Sequence, residues 1–253
     1  MNFRSLGKFP VRVSEIGLGT AQLSNTDGNV DWSPPISKRT AKEVILASLD
    51  HGINFFDTGE HYGEVESLLG SLSTSTKSKM IIATKAGLRA DGSRNFSESF
   101  LRSKVEQSLR RLQVDCLDVF QLNKPSVAEL ADESLRELLE SLKSEGKVRL
   151  LGVVVRDAEV ATACLQIPTI NTLQILYNLL LPSSGKVMRQ AAEQGVGVIV
   201  RSPLNSGLLS GNYHTGTTFA AGDGRARFFT WSPFTERLEA LARIQSELGV
   251  SSP

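Results

Sequence analysis

Cysteine is nearly absent: Cys116 and Cys164 are the only two in 253 residues. Two thiols cannot staple a secreted scaffold, so the reducing cytoplasm suits the chain better than an oxidising exterior. A charge of one sign is lacking too, with 28 Lys and Arg against 27 Asp and Glu. That balance supports neither a nucleic-acid surface nor a polybasic membrane patch, so neither partner is expected. No run of 18 apolar residues occurs, and Met1 to Lys8 lack the apolar core of a signal peptide. Histidine is scarce, and His51, His61 and His214 have no metal-ligand spacing, so no metal is expected. Gly195-Val196-Gly197 is too little for a dinucleotide fingerprint. No Pro/Gly/Ser-rich linker divides the chain, which reads as one domain over 1–253. What is present is ordinary globular composition, 40% hydrophobic and 22% charged, enough for a sizeable core.

Short apolar runs alternate with amphipathic ones. Val13 to Thr20 reads as a strand entering a tight turn at Gly17-Leu18-Gly19-Thr20. Further strands are expected at Ile53 to Phe56, Met80 to Thr84, Cys116 to Leu122, Val148 to Val155, Thr172 to Tyr177 and Val196 to Val200. Helices are expected at Ser37 to His51, Glu64 to Leu72, Phe100 to Leu112, Ser134 to Ser144, Ala158 to Leu165, Val187 to Gln194 and Phe234 to Leu248. Such alternation means β-α-β units and a parallel sheet, and about seven units favour a (β/α) barrel. Asn212 to Arg227, rich in Gly and Thr, reads as a long loop of the kind that covers a site.

In a parallel barrel the C-terminal strand ends converge on the active site. Asp57, Lys85, Asn123, Val154, Val155, Gln174 and Arg201 stand at those ends, and Tyr62 follows Asp57 closely. An acid, a lysine and a tyrosine on one rim can move protons. Asp57 can pair with Lys85. A nearby ammonium favours the phenolate, so the tyrosine is expected below its usual value of about 10 and usable as a general acid near neutrality. The plainer reading is an ion pair with a core tyrosine beside it.

These residues resemble the aldo-keto reductase family. The resemblance lies in Phe56-Asp57-Thr58-Gly59-Glu60-His61-Tyr62-Gly63 with Glu66 and Leu69-Gly70, and in Ile82-Ala83-Thr84-Lys85-Ala86-Gly87. It continues through Ser108 to Val119, Gly146-Lys147-Val148-Arg149, Gln174 with Tyr177-Asn178, and Ser202-Pro203-Leu204 with Gly207-Leu208-Leu209. Leu6-Gly7 to Gly19-Thr20 is similar to the hairpin and first strand of that barrel. The resemblance covers almost the whole chain. It implies a (β/α)8 TIM-barrel-like α/β fold that binds NADP(H) without a Rossmann domain and reduces a small-molecule carbonyl substrate. By the same resemblance Asp57, Tyr62 and Lys85 are catalytic, and Gln174 contacts the nicotinamide carboxamide. Gly19, Thr20, Arg201, Ser202 and Leu204 lie along the cofactor.

Departures qualify that reading. Asn123, in Gln121-Leu122-Asn123-Lys124-Pro125, replaces the family's histidine; an amide can orient a carbonyl but cannot supply a proton at neutral pH. Gly152-Val153-Val154-Val155 stands where the family has Gly-Val-Ser-Asn, so two donors toward the nicotinamide are gone. Arg201 stands where many relatives place an aromatic residue against the nicotinamide ring, and it can stack or bind an anion. The chain is expected to lack the last strand and helix, leaving two open edges that a homodimer is one way to cover. Three readings follow: a reductase, a non-redox enzyme acting on a carbonyl compound without nicotinamide, and a non-catalytic barrel.

Overall fold

The computed structural model describes residues 1–24, 36–89, 91–219, 223–226 and 234–249. Within them the apolar runs become strands: β1 (Phe3–Ser5), β2 (Arg12–Ser14), β3 (Leu18–Gly19), β4 (Phe55–Asp57), β5 (Ile81–Ala86), β6 (Leu117–Asn123), β7 (Val148–Val154), β8 (Thr172–Leu176) and β9 (Gly197–Arg201). The helices are α1 (Lys38–Asp50), α2 (Val65–Gly70), α3 (Thr74–Lys77), α4 (Glu98–Leu112), α5 (Val127–Ala131), α6 (Glu133–Ser144), α7 (Ala158–Cys164), α8 (Gly185–Glu193) and α9 (Phe234–Leu248). β3 to β9 form one seven-stranded sheet in sequence order, every pair parallel. Sequential parallel order is that of a (β/α) barrel wall. Among the described residues β3 and β9 are the outer strands.

The sheet curls. Gln174 on β8 hydrogen-bonds Asp57 on β4 at 2.7 Å. Four strand spacings would separate them by roughly 19 Å in a flat sheet. Alternation then sorts the side chains. Phe56, Ile82, Phe120, Leu122, Leu151, Val153, Leu173 and Ile175 face outward and pack with helix residues in the main core. Phe55, Ala83, Val119 and Leu150 face inward and meet Leu6, Val11 and Val13 of the β1–β2 hairpin. The hairpin thus plugs one end of the barrel. Asn54 pins it there, accepting from the Ser14 N–H at 2.7 Å and donating to the Arg12 carbonyl at 3.0 Å.

One expected strand divides in two. Val13 to Thr20 breaks into β2 and β3 because Glu15 to Gly17 turn the chain from the hairpin into the barrel wall. The Ser14 hydroxyl donates to the Ile16 carbonyl at 2.7 Å, and a Cβ on Gly17 would fall 2.6 Å from Phe55. Two short helices, α3 and α5, went unread because each is under two turns. Ser73 caps α3, and a reciprocal Ser126–Glu129 capping box starts α5. Of the expected loop Asn212 to Arg227, residues 220–222 and 227 lie outside the described residues. Its described part gathers Tyr213 and Phe219 edge-on and ties Arg225 to Asp223.

Helices dock where their stripes demand. α6 buries Leu135, Leu138, Leu139 and Leu142, one side of a 3.6-residue period. α2 meets α4 closely enough that a Cβ on Gly70 would sit 2.0 Å from the Arg111 carbonyl oxygen. Beside that crossing Glu66 is buried yet satisfied: it accepts from Thr84 and Ser108 at 2.7 Å each and from Arg111 at 3.2 Å. The Glu66 and Gly70 of the family segment therefore hold α2, β5 and α4 together. No helix of the described residues is long and apolar enough to cross a membrane.

Candidate active site

The upper barrel interior is polar. Asp57 closes β4, and its Oδ2 accepts from Lys85 Nζ at 2.7 Å. Lys85 also donates to the Thr58 carbonyl at 2.5 Å and is almost fully buried. The other carboxylate oxygen, Oδ1, accepts from Gln174 Nε2 at 2.7 Å and Gln121 Nε2 at 3.2 Å. Asp57 is thus held by groups from β5, β6 and β8. Burial draws the Lys85 ammonium down, but Asp57 and Tyr62 outweigh it and hold its pKa above the usual lysine value. Lys85 stays charged through the physiological range.

Tyr62 lies in the turn between β4 and α2, its ring centroid 4.9 Å from Lys85 Nζ. The expectation of a lowered phenol is reversed. Burial, which disfavours the phenolate, exceeds the pull of the Lys85 charge, and the Tyr62 pKa rises above 10. The sequence shows the lysine but not how much water the barrel removes. A raised phenol remains a proton donor, since it stays protonated across the neutral range.

His61 packs edge-on against Tyr62 at 4.6 Å. Burial first, then the charges of Lys85 and Lys124, depress its pKa from 6.5 to about 4. The folded chain therefore keeps neutral an imidazole that the unfolded chain protonates below 6.5. Stability is full above that value and drains as pH falls toward 4, by about 3 kcal/mol for a shift of this size. His61→Phe keeps the aromatic edge and removes the base. Denaturant unfolding from about pH 7 down to pH 4 should show a flatter acid limb in the variant. Equal slopes would exclude His61 as the source.

Gly19 and Thr20 end the first barrel strand. The Thr20 N–H and hydroxyl both donate to the Asp57 carbonyl, at 2.9 and 3.0 Å, so Thr20 braces the end of β4. A Cβ on Gly19 would meet nothing within 4 Å, which leaves open space beside the rim. Past β9, Ser202, Asn205 and Ser206 all take positive φ (53, 46 and 59°), a strained conformation for side-chain-bearing residues. Asn178 Nδ2 braces this turn through the Ser202 carbonyl at 3.1 Å. Arg201 Nε and Asn205 Nδ2 are buried there without a hydrogen-bond partner, while Ser202 and Leu204 are exposed. Unmet donors on a strained loop suit an anionic ligand, so these residues fit the phosphates of a dinucleotide. The nicotinamide end fits less completely. Val154 and Val155 are buried and apolar, and the Gln174 amide is engaged with Asp57.

Asp57, Lys85 and Gln174 therefore join directly, and Tyr62 packs on Lys85. Asn123 is buried on β6 two residues beyond Gln121, on the same strand face. Gln121 and His61 were missed. A lone glutamine in Val119-Phe120-Gln121-Leu122, two before Asn123, was the available signal for the first. Among the described residues no group of three or more His, Cys, Asp or Glu could hold a metal. Cys116 and Cys164 are free thiols, the second pushed up to about 12 by burial.

The arrangement is a buried acid–lysine pair with a tyrosine beside it, on the C-terminal rim of a parallel α/β barrel. The family model described as Aldo/keto reductase family matches residues 15–253, and the chain belongs to that family. L-galactose dehydrogenase of Arabidopsis thaliana is 29% identical over 83% of this chain and 67% of its own. The holo form of aldo-keto reductase AKR11C1 from Bacillus halodurans superposes with a TM-score of 0.75 at 28% identity, covering 87% of this chain and 73% of that one. Glycerol dehydrogenase AKR11B4 of Gluconobacter oxydans gives 0.78 at 26% identity over 99% and 80%.

Proposed function

We propose that the protein is an NADP(H)-linked carbonyl reductase in which Tyr62 protonates the carbonyl oxygen. The observation that carries this reading is the buried Asp57–Lys85 pair with Tyr62 packed on the ammonium. Lys85, held charged by Asp57, favours negative charge developing on Tyr62 as the proton leaves. Gln121 and Gln174 fix Asp57 so that Lys85 cannot swing away. The Asn123 amide donates to the substrate oxygen and orients it, without supplying a proton. Arg201, Ser202, Leu204 and Asn205 would hold the cofactor's phosphate end, and Gly19 would leave it room. The nicotinamide, when bound, supplies a hydride to the carbonyl carbon. The relatives' names point to alcohol and sugar carbonyl chemistry: one is an L-galactose dehydrogenase, another a glycerol dehydrogenase.

Calorimetric titration with NADPH tests this. Saturable binding in the micromolar range, followed by NADPH oxidation in the presence of aldehydes, is the expected result. No heat at millimolar cofactor would overturn it. A second reading, acid–base chemistry on a carbonyl compound without nicotinamide, is favoured by the engaged Gln174 amide and by the apolar Val154 and Val155. Turnover in the absence of any nicotinamide would select it.

A further inference from the structure

The loops after β5, β6 and β7 border an open cleft of about 460 Å³ lined by Leu88, Gly92, Ser93, Arg94, Lys124 and Arg156. Three of those six residues are cationic. Arg94 is committed to Glu129 at 3.3 Å. Lys124 and Arg156 form no ion pair with an acidic side chain among the described residues, whereas Arg149, Lys147 and Arg102 each do. The acids closest in sequence are occupied: Asp157 caps α7 through the Val160 N–H, and Asp91 accepts from the Ser93 N–H.

Backbone geometry fixes Lys124 at this spot. It takes φ 61°, the left-handed region, while its N–H donates to the Val154 carbonyl at 3.0 Å. A lysine in that region is strained, and glycine there would not be. Lys124 is half-buried, and burial, then Arg201, Arg156 and Lys85, push its pKa down. His61 is depressed by Lys124 as well. Lys124 lines the pocket and directly follows Asn123 at the end of β6, so the pocket lies beside the rim that carries Asp57 and Lys85. Asp57 serves Lys85 and favours the charge of Arg201, which leaves Lys124 facing Arg156, Arg201 and Lys85 with no acid to offset them. Such an arrangement is stabilised when an anion supplies the missing charge.

We infer that the carbonyl substrate bears an anionic group, a carboxylate or a phosphate, which docks between Lys124 and Arg156 while its carbonyl reaches Tyr62. This rests on the reductase reading above. It adds that the pocket beside the centre selects by charge, with Lys124 and Arg156 as specificity-determining residues and the Ser93 hydroxyl available as a further donor.

The test compares substrate pairs that differ in charge: 4-carboxybenzaldehyde against 4-methylbenzaldehyde, and glyceraldehyde 3-phosphate against glyceraldehyde. Wild type should prefer the anionic member of at least one pair, and which pair shows the preference tells carboxylate from phosphate. In Lys124→Gln and in Arg156→Gln the anionic-to-neutral ratio of kcat/KM should fall by about 10- to 100-fold, the size of a lost charge-assisted hydrogen bond. Arg156 is exposed, so its variant keeps the test valid even where Lys124→Gln folds poorly. An unchanged ratio overturns the inference. So does a variant whose NADPH affinity falls while the ratio holds, since the cations would then serve the cofactor. Where wild type reduces none of the four aldehydes, the reductase reading has failed and calorimetry with benzoate and inorganic phosphate decides the anion site separately. Binding that is lost in the double variant supports the site; no binding in wild type overturns it.

Discussion

Tyr62→Phe should lower kcat for carbonyl reduction by about 10²- to 10⁴-fold, the usual worth of a positioned general acid. The ring still packs against Lys85 and His61, so fold and cofactor binding should survive the change. A pH profile separates this from a merely structural effect. The donor must be protonated, and burial holds the Tyr62 pKa above 10. In wild type kcat/KM for reduction should therefore stay level through neutral pH and fall only on the far alkaline side. Lys85 is the main influence lowering that phenol. Lys85→Met should accordingly move the alkaline limb still higher while reducing the rate. Turnover in Tyr62→Phe equal to wild type would remove Tyr62 from the chemistry. An alkaline limb that shifted down in Lys85→Met would contradict the electrostatic account.

The parts of this protein that a sequence displays are those set by local pattern. Strands such as Leu117–Asn123 and Val148–Val154 read as mostly apolar runs with few polar interruptions because one face meets helices and the other lines the barrel. The rim residues Asp57, Lys85 and Gln174 are legible because parallel topology puts every strand's end on one side. Their bonding is not. Gln174 reaches Asp57 across 117 positions of chain, and Gln121 across 64, through a curl that no window of sequence contains. For the same reason the direction of the Tyr62 shift is hidden: a neighbouring lysine can be seen in the sequence, whereas exclusion of water cannot. The Ser202 to Gly207 turn is a third case, with left-handed backbone at three residues that carry side chains. Only Pro203 and Gly207 announced a bend there. What escapes a sequence reading here is long-range, and it lies mostly in the site rather than in the wall that carries it.

Asp57→Asn should destabilise the protein by about 3–5 kcal/mol, the usual effect of leaving a buried charge without its partner. The substitution is nearly isosteric. Its carbonyl oxygen can still accept from Gln121 and Gln174, so the loss falls on Lys85, which is about 4% exposed. The sign of the pH dependence makes the cause identifiable. In wild type the folded Lys85 pKa lies above the ordinary 10.5, so its contribution is present below 10.5 and is lost as pH climbs through the folded value. In the variant, burial acts with only Tyr62 opposing it, so the folded pKa should fall below the ordinary lysine value. The folded state then prefers a neutral amine that the unfolded chain protonates. The deficit is largest at low pH and is recovered as pH rises toward 10.5. Denaturant unfolding of both proteins from about pH 7 to pH 10 should therefore show the stability gap narrowing with pH. A gap that stays constant would place the cost in packing rather than in the ion pair. The same variant should lose most of its reductase activity, because a Lys85 that can shed its proton no longer stabilises charge on Tyr62. On the proposed reading activity and stability should fail together, because one buried ion pair would serve both.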